Sequence, residues 1–136
     1  MKLYGLLFCG TVFSLTYFPA QDSELAKSIA RGKEVYTDAC IACHMAKGEG
    51  VKGTYPPLAG ADYLLKMPEK AIASIKFGLK GKIIVNNVAY DSMMPNPNLG
   101  NDEIADVMNY ILNSWGNKST KPMVTEKIVA AVKSNK

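Results

Sequence analysis

The chain has 136 residues, 48% of them hydrophobic and 21% charged, with a formal net charge of +4. That length suits one small domain, and that composition supports a packed core and excludes disorder. The small positive charge comes without a basic stripe interleaved with aromatic residues, which argues against a nucleic-acid partner.

The N-terminus opens on Met1-Lys2, continues as an apolar run from Leu3 to Phe18, and breaks at Pro19-Ala20-Gln21-Asp22. This is the layout of an export signal over residues 1–21, or of a membrane anchor if it is not removed. The run is too short and too poor in flanking charge for a convincing transmembrane helix. Cys9 lies within it, but Leu6-Leu7-Phe8 lacks the small residue expected before a lipidated cysteine. A mature domain over residues 22–117 and a C-terminal extension over 118–136 with one short helix are expected to follow.

Leu25, Ile29, Gly32, Tyr36 and Cys40 recur at spacings of three and four, which predicts one face of a helix from about Ser23 to Cys40, capped by Asp22 or Ser23. The helix runs into Cys40-Ile41-Ala42-Cys43-His44. C-x-x-C-H is the attachment pattern for c-type haem. Each thiol can add to one porphyrin vinyl group, and the adjacent imidazole can bind the iron. His44 is the only histidine in the chain. A structural zinc site needs four ligands, and no second cysteine pair or histidine supplies them. A thioredoxin-like dithiol belongs at the head of a helix in a strand–helix–strand unit, which is not found before Cys40. A Cys40–Cys43 disulfide would close a very small, strained loop.

From Met45 to Gly60 the chain is rich in glycine and proline, which predicts a long ordered loop able to wrap a flat cofactor. Pro68 opens a helix to Phe77, which Gly78 and Gly81 terminate. Ile83-Ile84-Val85 and Val88-Ala89-Tyr90 flank Asn86-Asn87, a hairpin signal because asparagine tolerates positive φ. Asn101-Asp102-Glu103 starts the strongest helix, with Ile104, Val107, Met108, Ile111 and Trp115 as its apolar face and Gly116 as its stop. Thr125 caps a last helix reaching about Lys133. The expected class is therefore all-α: three to five helices around one haem, with a short hairpin before the methionine loop.

With His44 used, a sixth iron ligand must be a thioether. Met45 adjoins His44, Met108 sits on a helical apolar stripe, and Met67 and Met123 flank helices. Met93 and Met94 lie in a loop between the hairpin and the strong helix, where a rigid frame can aim a side chain. Pro95 restricts Met94 to extended backbone. Met94 is the preferred ligand and Met93 the second choice.

This order of helix, C-x-x-C-H, Pro/Gly loop, helix, Met-Pro loop and C-terminal helix resembles the class I cytochromes c, over about Leu25 to Asn117. The resemblance implies one covalently bound haem c and a one-electron carrier rather than an enzyme. It implies that Gly32 and Tyr36 meet Val107 and Tyr110 at a close helix crossing. It also implies that the carbonyl of Pro56 orients His44. The segments 55–64 and 109–117 are similar to those of bacterial cytochrome domains serving periplasmic reductases and dehydrogenases, including the domain fused to some copper nitrite reductases. The partners implied are redox proteins, a nitrite reductase or another periplasmic or membrane-bound oxidoreductase, with the N-terminus as the route to any membrane association. The location implied is the periplasm.

The alternatives are a fixed haem subunit of a larger reductase, oxidase or dehydrogenase, or a gas-binding or peroxidase-like protein. Between Met45 and Lys82 stand Lys47, Lys52, Lys66, Lys70, Lys76, Lys80 and Lys82 against Glu49, Asp62 and Glu69. Such a cluster is either a solvated face or a surface that steers an acidic partner.

Overall fold

A computed structural model describes residues 20–134. The stretch up to Pro19, including most of the candidate signal and Cys9, lies outside them. The elements in order are α1 (Ala20–Ala39), α2 (Ile41–His44), α3 (Asp62–Lys66), α4 (Pro68–Phe77), β1 (Ile83–Val85), β2 (Val88–Tyr90), α5 (Asn101–Leu112) and α6 (Glu126–Ala131). The described residues thus hold six helical segments, of which α2 and α3 are little more than single turns. None of these helices is long and apolar enough to cross a membrane.

The frame is the crossing of α1 over α5. Gly32 is the contact point: a Cβ built there would run into the Asp106 carbonyl and lie 2.9 Å from Cβ of Tyr110. The backbone facing Gly32 is therefore that of Asp106 rather than Val107. The Asp106 carboxylate locks the same crossing. It accepts from Ser28 Oγ at 2.6 Å and from Arg31 Nε and a second guanidinium nitrogen at 2.6 and 2.8 Å. Tyr36, Tyr110 and Trp115 pack beside it with ring centroids 5.0–5.4 Å apart. Because the obstruction at Gly32 is backbone, no side-chain rotation relieves it. Gly32→Ala is expected to lower the stability of the holoprotein by about 2–3 kcal/mol in guanidinium unfolding. A change within about 0.5 kcal/mol, the scatter of an ordinary surface substitution, would show that the helices can part freely.

Two buried asparagines tie the loops to this frame. Asn109 exchanges two 2.8 Å bonds with the backbone of Val124 and fixes the C-terminal tail on α5. Asn117 donates to the carbonyls of Leu58 and Ile111 and accepts from Gly60 N–H, which fixes the Pro/Gly loop. No buried side-chain polar atom among the described residues lacks a partner.

The hairpin pairs Ile83 with Tyr90 and Val85 with Val88 through Asn86 and Asn87 at φ 50 and 62, as its turn sequence predicts. The helix limits differ from expectation at three places. α1 spans Ala20–Ala39, so positions 22 and 23 fall within it rather than at its start. α5 is capped at Gly100, whose N–H is bonded by the Glu103 carboxylate, and it stops at Leu112. Trp115 then stands beyond the helix at φ 54, and it reaches the Tyr36 cluster from a turn. α6 ends at Ala131, short of Lys133.

Candidate haem site

α1 delivers Cys40 to the lining of a cleft of about 640 Å³, its open mouth included. One turn of α2 then sets the two thiols apart, Cys40 half-buried and Cys43 exposed. The turn closes at Met45, whose φ is 64 and whose carbonyl accepts from Tyr36 Oη at 2.6 Å. Cys40 and His44 share the cleft with Pro56, Leu58, Leu64, Ile75, Val107 and Met94, and the lining is almost wholly apolar. A second cleft, of about 470 Å³, continues from it past Leu79 and Ile83 and holds Cys43, Tyr55, Met93 and Pro95. His44, Pro56 and Met94 border both.

His44 Nδ1 lies 3.0 Å from the carbonyl of Pro56. A carbonyl can only accept, so Nδ1 carries the proton and Nε2 keeps its lone pair. Burial holds the imidazole below its ordinary pKa, and the bond to Pro56 opposes that shift only in part. The ring is therefore neutral at pH 7, the form that binds a metal. Burial also pushes the Cys40 thiol up to about 11, and a neighbouring Cys43 charge adds to the effect. A thiol held protonated in this way is a poor redox dithiol.

Of the methionines considered from sequence, Met94 lines both clefts and is half-buried, whereas Met93 is 69% exposed and borders only the outer one. Met94 is pinned by main chain: it exchanges two 2.9 Å hydrogen bonds with Leu79. Met108 is fully buried in the core. Sequence reasoning did not find Leu79, nor the wall made by Leu64, Ser74 and Ile75. Leu79 follows a helix stop and carries no chemical signal of its own.

No three His, Cys, Asp or Glu side chains converge as a metal cage among the described residues. The donors available are instead one imidazole and one thioether on an apolar cleft, with one thiol in its lining and the other in the lining of the adjoining cleft. That set fits iron in a porphyrin and does not fit zinc. Helical wrapping around such a slot defines a small haem protein built for one-electron exchange.

The family model for cytochrome c matches residues 29–115. The cytochrome c-552 of Thermus thermophilus is 36% identical over 113 residues, spanning 76% of this chain and 76% of that protein. The cytochrome c subunit of the quinone alcohol dehydrogenase of Gluconobacter oxydans is 36% identical over 92 residues, 65% of this chain but 19% of that one. The cytochrome c subunit of gluconate 2-dehydrogenase from Pantoea cypripedii is 30% identical over 125 residues, 85% of this chain and 28% of that one. The chain belongs to the cytochrome c family. It is an electron carrier rather than an enzyme, and its cofactor is covalently bound haem c.

Proposed function

We propose that the protein is an exported monohaem cytochrome in which Cys40 and Cys43 hold the porphyrin and His44 and Met94 hold the iron. The observation that carries this reading is the convergence of Cys40, His44, Pro56 and Met94 on one apolar cleft. Bound haem supplies a one-electron iron couple. The chain's part is to hold that couple still: Pro56 fixes the imidazole, Leu79 fixes the Met94 backbone, and the apolar lining keeps water out. A rigid, dry shell leaves little to rearrange when an electron arrives, and a thioether ligand with burial raises the potential. The export signal over residues 1–21 and the need to attach haem outside the cytoplasm support a periplasmic setting, membrane-bound if the signal is retained.

The partner we favour is a redox protein with an acidic docking face. The dehydrogenase subunits among the relatives support a dehydrogenase in that role. A nitrite reductase is the partner suggested by sequence resemblance alone. Lys80 and Lys82 flank Leu79 and Ile83 at the outer cleft, and Lys52 stands on the loop before Thr54 and Tyr55. All three are exposed. Lys76 drops out of the set because its ammonium is bonded to backbone carbonyls. Changing Lys52, Lys80 and Lys82 together to Glu should slow association with an acidic redox partner at low salt by about tenfold or more, leaving the haem spectrum unchanged. The wild-type rate should fall as salt rises. A rate that is flat with ionic strength would reject steering. It would favour the second reading, a fixed subunit of a larger dehydrogenase, which the much longer relatives support.

A further inference from the structure

The Met94 segment depends on where α4 ends. Leu79 donates to the Met94 carbonyl and accepts from its N–H, both at 2.9 Å. Leu79 lies two residues after the last residue of α4, across Gly78 at φ 77. A Cβ on Gly78 would come within 2.9 Å of the Met94 carbonyl and 3.2 Å of the Asn96 nitrogen. The end of α4 and the methionine loop therefore touch backbone to backbone, and any movement of the last turn of α4 reaches Met94.

That last turn is tied to something distant in sequence. Lys76, the penultimate residue of α4, donates from Nζ to the carbonyls of Val129, Ala130 and Val132 at 2.8, 3.2 and 3.3 Å. These carbonyls lie at the C-terminal end of α6 and at its cap Val132, whose own N–H also bonds the Val129 carbonyl at 3.2 Å. α6 is itself held down, with Val129 fully buried against α5 and Val124 clamped by Asn109. Among the described residues, Lys76 is the side chain that hydrogen-bonds α4 to α6. Lys76 does not line the cleft that Ser74 and Ile75 wall.

We propose that Lys76 is a positioning residue for the axial sulfur. By joining the last turn of α4 to the carbonyl end of α6, it keeps the Leu79–Met94 pairing closed. The C-terminal extension thereby controls an iron ligand that it never touches. The inference rests on Met94 as the ligand. Its physical content is a local opening: without the lysine, the α4 terminus and the loop paired to it separate at less cost than global unfolding.

Imidazole, added to the ferric holoprotein, reports that opening because it competes for the iron when the sulfur leaves. Lys76→Met keeps the aliphatic stem and removes the charge and donors. It should bind imidazole about tenfold more tightly, and amide exchange at Leu79 and Met94 in the ferrous protein should quicken by a similar factor. Lys76→Arg should restore both. Val129→Ala, which loosens α6 from inside, should reproduce both changes and serves if Lys76→Met does not mature. Arg31→Met weakens the α1–α5 lock without touching α4, and it should leave both readouts at wild type. Unchanged imidazole affinity and exchange in Lys76→Met would overturn the proposal, as would an equal change in Arg31→Met. Failure of the ligand reading is separate: it would appear as a sulfur–iron band that survives Met94→Ala, and amide exchange at Leu79 would then still decide the role of Lys76.

Discussion

With Cys40 and Cys43 both changed to alanine, the protein made alongside a c-type maturation system is expected to carry no haem that resists acid–acetone extraction. The wild type should gain the mass of one haem. Cys40 lines the inner cleft and Cys43 the outer one, so together they would hold a porphyrin at two points. Imidazole and thioether alone leave an exchangeable cofactor. The consequence for stability is as large as that for the spectrum. The cleft measures about 640 Å³ and is lined by core residues of α1, α3, α4 and α5. Without haem, that apolar lining faces water or a gap and loses the packing partner it is shaped for. A small domain has only about 5–15 kcal/mol in all. The haem-free double variant should thus be largely unfolded, because the cofactor stabilises only the native state that binds it. Far-ultraviolet circular dichroism during heating checks this. A cooperative transition at the holoprotein's temperature would refute it, and zinc bound in place of haem would refute the site.

The parts of this molecule that were legible in the sequence are those whose causes are local. The C-x-x-C-H run carries its chemistry within five residues. Pro68 and Gly78 bracket α4 because each acts on its own backbone. Asn86-Asn87 forms the hairpin for the same reason. Misreadings arose where periodicity and tertiary contact give the same spacing. Trp115 follows Ile111 by four, yet it reaches Tyr36 from a turn after the helix has ended. α3 was not anticipated at all. Five residues are too few for a periodic signal, and its start is held by Asp62 and Asn86 exchanging side-chain bonds with each other's N–H groups. That pairing is 24 residues apart and leaves no pattern in the sequence.

The site divides in the same way. Elimination could reduce the thioethers to Met93 and Met94, and Pro95 favoured the second. The fixing of Met94 by Leu79 is a two-residue bridge whose partners lie on either side of a hairpin, so spacing could not reveal it. The lysine cluster was legible as a charge excess but not as a surface. Sequence counts Lys76 with the others, although its charge is spent on the end of α6.

Met94→Ala should abolish the weak far-red sulfur-to-iron absorption of the ferric protein, lower the reduction potential, and let carbon monoxide bind the ferrous form promptly. Thioether ligation favours ferrous iron, so its loss moves the couple downward. The open coordination position then admits small ligands. Met93→Ala should keep the band and change the potential only slightly, because its side chain is 69% exposed and borders only the outer cleft. The backbone sharpens the contrast. Met94 keeps both bonds to Leu79 whatever its side chain, so the alanine variant should retain the loop and lose only the sulfur. Neighbouring Met93 cannot take its place without turning the extended segment over, which would break that pairing. A band that survives Met94→Ala and disappears in Met93→Ala would transfer the ligand to Met93. A wild type that lacks the band and binds carbon monoxide promptly would mean an iron without a thioether ligand, and the gas-binding and peroxidase-like readings would then take precedence over rigid thioether ligation.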